Sequence, residues 1–83
     1  MTLHVELVSP VERLWSGEAT MVSARTVEGD LGVLTGHAPI FGVLVDGKVS
    51  IKVTGGENVE FNVRGGFLSV SNDRVSILTE SAN

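Results

Sequence analysis

The sequence predicts an all-β domain, a flattened β-sandwich or barrel of about eight to ten short strands. Apolar residues recur with a period of two in several runs, and no window holds the i, i+3, i+4, i+7 spacing of an amphipathic helix. The 83 residues include 10 glycines, and turn-type residues separate the runs at short intervals. Strands this short must bury their apolar faces against one another, which favours one packed domain over residues 1–83.

Three runs show the alternation most clearly. In the first, Leu3, Val5 and Leu7 alternate with polar residues, and residues 49–53 and 59–63 repeat the pattern. Each run is typical of a strand with one buried face. Turn signals lie between the runs at residues 9–10, 16–17, 28–30, 36–39, 46–47, 55–56, 65–66 and 72–73.

Residues 40–53 are expected to form a β-hairpin centred on Asp46 and Gly47, because an Asp-Gly pair readily adopts the positive φ angles of a type I′ turn. Residues 40–45 are apolar at every position except Gly42. This indicates a strand covered on both faces, near the middle of the domain or under a partner. Gly42 marks a bulge or a close approach of another backbone.

Composition excludes several classes of protein. Six basic and ten acidic side chains give a formal charge of −4, and the resulting field disfavours nucleic-acid binding. The chain has no cysteine, so disulfides, thiolate nucleophiles and cysteine-based metal sites are absent. The N-terminal residues carry neither a basic region nor a long apolar run, so we expect no export signal and no direct membrane insertion.

Short catalytic motifs give no coherent site. Residues 42–48 match G-x-x-x-x-G-K, but Val49 stands where a P-loop needs Ser or Thr, and a strand pattern replaces the required helix. No G-x-S-x-G elbow supports a serine hydrolase. Glu28 and Asp30, on either side of Gly29, could be an acid/base or calcium pair, although two carboxylates at a turn are more often simply solvated.

The two histidines lie far apart in the sequence. His4 falls on the polar side of the first strand and is expected to be exposed. His37 lies in a Gly-His-Ala-Pro loop, and its chemistry leaves open a structural role, a partner contact, or a catalytic or metal role. Taken alone, the residues favour a binding or scaffold domain.

Residues 28–40 strongly resemble the signature of the epsilon subunit of F-type ATP synthases, called delta in mitochondria, and read EGDLGVLTGHAPI. Residues 65–70 and 75–82 resemble two further motifs of that family, and read GGFLSV and VSILTESA. Thr35 stands where the family usually has Pro, which removes one rigid φ angle but leaves the loop able to form.

The resemblance implies a flattened sandwich of ten strands without catalytic residues, cofactor or metal. It implies a rotor subunit in the central stalk of a proton-translocating ATP synthase, bound to the gamma subunit and to the polar loops of the c-ring, and a monomer when isolated. The implied location is the cytoplasmic face of the bacterial plasma membrane, ahead of the stromal face of the thylakoid. The alternatives are a free-standing ligand- or peptide-binding sandwich and a small hydrolase built around His37.

Carried over residue by residue, the resemblance implies two contact sets. The residues expected at the c-ring are Glu28, Gly29, Asp30 and Leu31. Those expected at the gamma subunit are Ser9, Gly36, His37, Ala38 and Pro39. The family usually continues into C-terminal helices that can inhibit ATP hydrolysis or bind ATP, and the sequence stops at Asn83, so we expect only the sandwich domain here.

Overall fold

The computed structural model describes residues 2–83 and confirms the all-β fold, with eight strands where about ten were expected. The strands are β1 (Leu3–Val8), β2 (Arg13–Thr26), β3 (Gly29–Leu34), β4 (Ile40–Leu44), β5 (Gly47–Val53), β6 (Asn58–Val63), β7 (Gly66–Ser71) and β8 (Arg74–Leu78). The count is lower partly because β2 runs for 14 residues and continues through the turn expected at residues 16–17. Gly17 belongs to β2, where a Cβ atom would lie 2.9 Å from the indole ring of Trp15.

The strands form two layers that share β2. The first layer contains β4, β7, β8, β1 and the N-terminal half of β2. The second contains β3, the C-terminal half of β2, β5 and β6. Ala19 pairs with both Leu3 and Val53, so β2 passes from one layer to the other at this residue.

The hairpin expected at residues 40–53 does not form. β4 and β5 both run antiparallel to β2, so the chain continues in one direction through Asp46 and Gly47 and moves from the first layer to the second. Gly47 does not have a positive φ angle. The prediction was wrong because the Asp-Gly signal is local, whereas β4 pairs with β7 and β5 pairs with β2, strands that are distant in sequence.

The turn with the expected geometry lies between β7 and β8. Asn72 and Asp73 have φ angles of 52° and 60°, and they connect the directly paired residues Ser71 and Arg74. Two central residues with positive φ are the signature of a type I′ hairpin turn. This turn is one of those that the sequence signals predicted.

The core between the layers is aliphatic. The alternation in β1 holds, since Leu3, Val5 and Leu7 are fully buried. A fully buried side chain of this size contributes about 1.5–3 kcal/mol through removal of its surface from water. The other buried apolar residues are Ala19, Val22, Ala24, Val33, Leu44, Val49, Ile51, Val63, Leu68, Val70, Val75 and Ile77.

The C-terminal residues cover the outer edge of β6 at its C-terminal end, around Asn62 and Val63. The hydroxyl of buried Thr79 donates to the Ser81 carbonyl at 3.1 Å and accepts from the Arg64 amide at 3.3 Å. Beyond it, Asn62 and Asn83 exchange main-chain hydrogen bonds of 3.1 and 3.0 Å. Residues 81–83 therefore act as a short added strand on the second layer.

Gly66 begins β7 at a point where the backbones of β7 and β8 lie unusually close. Its φ angle is +116°, and a Cβ atom here would lie 1.9 Å from the carbonyl oxygen of Leu78 and 2.8 Å from the Cα of Thr79. A side chain cannot fit there without displacing the end of β8. Gly66 is thus required by packing.

Candidate protein-interaction surfaces

The two histidines lie in separate local surroundings. In the part of the chain that the structure describes, no group of three or more His, Asp or Glu side chains could hold a metal ion. His4 pairs across the sheet with Arg74 and Glu18. The His37 ring bonds locally, with Nδ1 2.7 Å from the carbonyl oxygen of Ala38. Residues 2–83 also contain no helix that could span a membrane.

The two parts of the expected gamma contact lie at opposite ends of β8. Ser9 follows Val8, which pairs with Leu78 at the end of β8. At the other end, the Gly36 amide donates to the Asp73 carboxylate at 2.7 Å, just before β8 begins. Asp73 and Leu78 are about 17 Å apart at the usual rise of a strand. A partner that contacts both parts must cover the length of β1 and β8.

The loop of residues 36–39 is held by its neighbours in the fold. Gly36 has a φ angle of +85°, and the His37 amide donates to the Leu34 carbonyl at 3.1 Å. His37 is half-buried, whereas Ala38 and Pro39 are exposed. Thr35 does not prevent the loop from forming. The exposed tip therefore has a defined position at the end of the first layer.

The expected c-ring residues form the turn between β2 and β3 and the start of β3. The Thr26 hydroxyl donates to the Gly29 carbonyl at 2.9 Å and accepts from the Glu28 amide at 3.1 Å. Asp30 makes an exposed ion pair with Arg25, with Nε and Oδ1 3.1 Å apart. Glu28 is exposed, whereas Leu31 is half-buried and packs against the core.

Sequence reasoning missed a further surface, an apolar row on the outer face of the first layer. Val43, Phe67, Leu78 and Val8 lie directly opposite one another across four neighbouring strands. The ring of Phe41 stacks on that of Phe67 with centroids 5.4 Å apart, and 66% of Phe41 is exposed. Phe41 and Val43 explain why residues 40–45 are apolar on both faces, since one face meets the core and the other is free to meet a partner.

The outer face of the second layer is mainly polar. Lys48 and Glu60 form an exposed ion pair at 3.5 Å, and Arg25 and Asp30 form another at 3.1 Å. Such side chains are well hydrated, and burying them in an interface carries a desolvation cost. The first layer also carries such a pair, Glu6 and Arg13 at 3.5 Å, so it is the apolar row and not the whole layer that suits a partner that excludes water.

The sequence matches the family described as ATP synthase, Delta/Epsilon chain, beta-sandwich domain over residues 2–83. The chain belongs to this family. Curated relatives are called ATP synthase epsilon chain. That of Streptomyces avermitilis is 51% identical over 80 residues, and that of Rhodococcus opacus is 54% identical over 82 residues.

This delta/epsilon chain spans only part of some relatives. The match covers 96% of this chain and 64% of the Streptomyces avermitilis protein, and 98% of this chain and 67% of the Rhodococcus opacus protein. The Frankia casuarinae epsilon chain is 50% identical over 82 residues, which cover 99% of this chain and 96% of that protein. In the Frankia relative, the matched region is thus nearly the whole protein.

Solved structures share the fold of this delta/epsilon chain. A chain of the mitochondrial ATP synthase of Euglena gracilis, solved with its OSCP, F1 and c-ring, superposes with a TM-score of 0.93 at 27% identity, covering 99% of this chain and 52% of that one. A chain of the central stalk and c-ring of Tetrahymena thermophila gives 0.85 at 21% identity, covering 100% of this chain and 66% of that one.

The three motif segments of the delta/epsilon resemblance occupy different parts of the structure. Residues 28–40 contain the turn after β2, β3 and the following loop. Residues 65–70 contain Gly66, which packing requires, and Phe67, which belongs to the apolar row. Residues 75–82 contain most of β8 and buried Thr79. Two of the motifs therefore combine residues that build the first layer with residues on its outer face.

Proposed function

We propose that this chain acts as a non-catalytic rotor subunit of a proton-translocating F-type ATP synthase, where it links the gamma subunit to the c-ring and helps couple proton flow to ATP synthesis. The observation that carries the proposal is about 50% identity to epsilon chains over nearly all of the chain. Because those relatives are bacterial, we propose that it works at the cytoplasmic face of the plasma membrane.

The gamma subunit is proposed to cover the outer face of the first layer. This assignment keeps the expected residues Ser9 and 36–39 and adds the apolar row, which crosses the first layer at the Ser9 end through Val8 and Leu78. The row is the kind of surface that forms the centre of an interface, where a few buried aromatic and aliphatic side chains carry most of the binding energy. Phe41 stacks on Phe67 of the row and lies two residues after Pro39, so it extends the apolar surface toward the loop.

The c-ring is proposed to meet the turn at residues 28–31. Val27, next to this turn, donates its amide to the Val43 carbonyl at 2.9 Å, so the turn lies beside the edge of β4. The two proposed contacts therefore adjoin on the domain. One domain of this size can then touch both partners at once, as a connecting subunit must.

The free-standing ligand-binding sandwich has less in its favour. One depression within residues 2–83 is open to solvent and lies next to Phe67 and Leu78, the two middle residues of the apolar row. It is lined at its rim by Asp46, Arg64 and Glu80. Ligand sites for small molecules are instead concave and largely enclosed.

The test is coexpression with the gamma subunit, followed by size-exclusion chromatography with light scattering. The expected result is a complex of one copy of each chain, and a monomer when this chain is expressed alone. Phe67→Ser should weaken gamma binding by about 2 kcal/mol, the typical cost of losing a hot-spot side chain. The matched control is Lys48→Ser on the second layer, which should bind gamma like the parent. Equal weakening by both variants would contradict the assignment to the first layer.

A further inference from the structure

The outer edge of β3 is open. β3 pairs only with β2, so the main-chain groups on its other side lack a strand partner within residues 2–83. The opposite edge of the same layer, β6, is covered by residues 81–83 at its C-terminal end. An unpaired strand edge is a template for an added strand, and folded proteins usually cover or block it.

The hydrogen bonds of β2 identify which groups of β3 are free. The Val45 amide donates to the Arg25 carbonyl at 3.2 Å, and the Val27 amide donates to the Val43 carbonyl at 2.9 Å. Arg25 and Val27 therefore face β4. Alternate residues of an antiparallel strand direct their N–H and C=O groups to opposite sides, so Thr26, between them, faces β3.

The same alternation continues along β3. Thr26 pairs with Gly29, so Gly29 and, two residues on, Leu31 direct their main-chain groups toward β2. Asp30 and Gly32 direct theirs outward. The Leu34 carbonyl, next in this outward series, accepts a hydrogen bond from the amide of the following loop at 3.1 Å, which agrees with this assignment.

The side chains at this edge favour contact through the main chain. The Asp30 carboxylate already has Arg25 as an ionic partner within the chain, at 3.1 Å. Gly32 has no side chain to obstruct an approaching backbone and is exposed. A Cβ atom at Gly32 would touch the Met21 side chain at 3.4 Å, so a large side chain of an added strand can pack over the glycine against Met21.

We propose that a polar loop of the c-ring adds a short extended segment to the free edge of β3 and pairs with the N–H and C=O groups of Asp30 and Gly32. This inference rests on the proposed function, which assigns residues 28–31 to the c-ring. The segment carries a large side chain that faces Gly32. A basic side chain near Glu28 suits the exposed carboxylate and the net charge of −4. Main-chain pairing at an exposed edge is an established mode of recognition between proteins.

The matched variants are Gly32→Pro and Gly32→Ala. Proline removes the outward N–H without removing a hydrogen bond between β2 and β3, and edge strands tolerate proline at such positions. Alanine keeps the N–H. Gly32→Pro should bind a purified assembly of gamma and c-ring about tenfold more weakly than Gly32→Ala, the effect of about one main-chain hydrogen bond. Both variants should unfold at similar denaturant concentrations and bind gamma alone equally well.

Amide hydrogen exchange on the parent chain tests the pairing without a substitution. The amides of Asp30 and Gly32 should exchange at least about tenfold more slowly in the assembly that contains the c-ring than in the complex with gamma alone. Two results of the exchange experiment would overturn this inference: exchange that the c-ring does not slow, or exchange that gamma alone slows. Equal binding of folded Gly32→Pro and Gly32→Ala to the assembly would overturn it as well. Each of these results would leave the rotor function standing. Failure of the parent chain to bind the assembly would overturn both.

Discussion

The two outer faces of this sandwich are built on the same strand alternation but differ in how many large apolar side chains they expose. On the first layer, the outward positions hold the apolar row, with the stacked rings of Phe41 and Phe67 at its centre. On the second layer, comparable positions hold Lys48 and Glu60 as an ion pair. Alternation alone thus identifies the buried side of a strand, and the residue types on its other side indicate whether that face meets water or a protein.

The largest expected effect is a loss of stability of the first layer, caused by Gly66→Ala. The added methyl group would overlap the Leu78 carbonyl oxygen, 1.9 Å away, and alanine would also have to adopt a φ angle of +116°. We expect unfolding to become easier by about 3 kcal/mol or more, from overpacking and backbone strain together. Urea denaturation followed by circular dichroism measures the loss.

The control for this change is Gly55→Ala. Gly55 has a similar φ angle of +106°, but a Cβ atom there would meet no atom within 4 Å. Only backbone strain should remain, about 1–2 kcal/mol. Similar losses for the two variants would show that the close approach of β7 and β8 does not constrain Gly66.

Asp73→Gly tests whether the turn between β7 and β8 positions the loop of residues 36–39 for gamma binding. Glycine accepts the φ angle of 60° but loses the hydrogen bond to the Gly36 amide, 2.7 Å long. We expect a loss of about 1 kcal/mol in gamma affinity with a smaller change in the free energy of unfolding. Calorimetric titration with the gamma subunit measures it, and unchanged affinity would remove residues 36–39 from the contact.

Asp30→Arg addresses the end of the second layer proposed to meet the c-ring. The new side chain would face Arg25, the present ionic partner, and would repel a basic segment near Glu28. We expect lower proton-driven ATP synthesis in reconstituted vesicles, with a smaller effect for Asp30→Asn. The effect corresponds to about 0.2–1 kcal/mol and should shrink as salt is added. ATP synthesis by Asp30→Arg equal to that of the parent at low ionic strength would show that the charge of Asp30 has no part in coupling.

The smallest effect is expected on the polar face, from Glu60→Gln. Its ion pair with Lys48 is more than half exposed at both side chains, so solvent screening leaves at most a few tenths of a kcal/mol. The free energy of unfolding and gamma affinity should both stay within error of the parent. A clear loss of gamma affinity would move the proposed interface onto the second layer.

Local pattern was sufficient for the buried face of β1 and for the turn at Asn72 and Asp73. It failed at Asp46 and Gly47, because whether a chain turns back there depends on which distant strand each flanking run pairs with. The 14-residue span of β2 was also missed, because Gly17 is a local turn signal. In the structure Gly17 lies inside β2, and the indole ring of Trp15 lies over it.

The candidate surfaces were predictable only in part. The motif of residues 28–40 marked the turn and the loop, but only the pairing of distant strands places the turn beside Val43 and the loop beside Asp73. The apolar row depends on register, since Phe67 and Leu78 become neighbours only once β7 and β8 are paired. Phe41 and Val43 could be noticed in the sequence, because residues 40–45 form a run without a polar face.

The two crossings between the layers have a mechanical consequence. β2 passes from the first layer to the second at Ala19, and residues 44–47 carry the chain across a second time, next to Thr26. Sliding one layer over the other would therefore require bending of continuous backbone and rupture of strand hydrogen bonds, in addition to slippage of aliphatic side chains. A twisting load applied through one face thus reaches the other through covalent chain, which would give so small a domain the resistance to shear that its proposed rotor role requires.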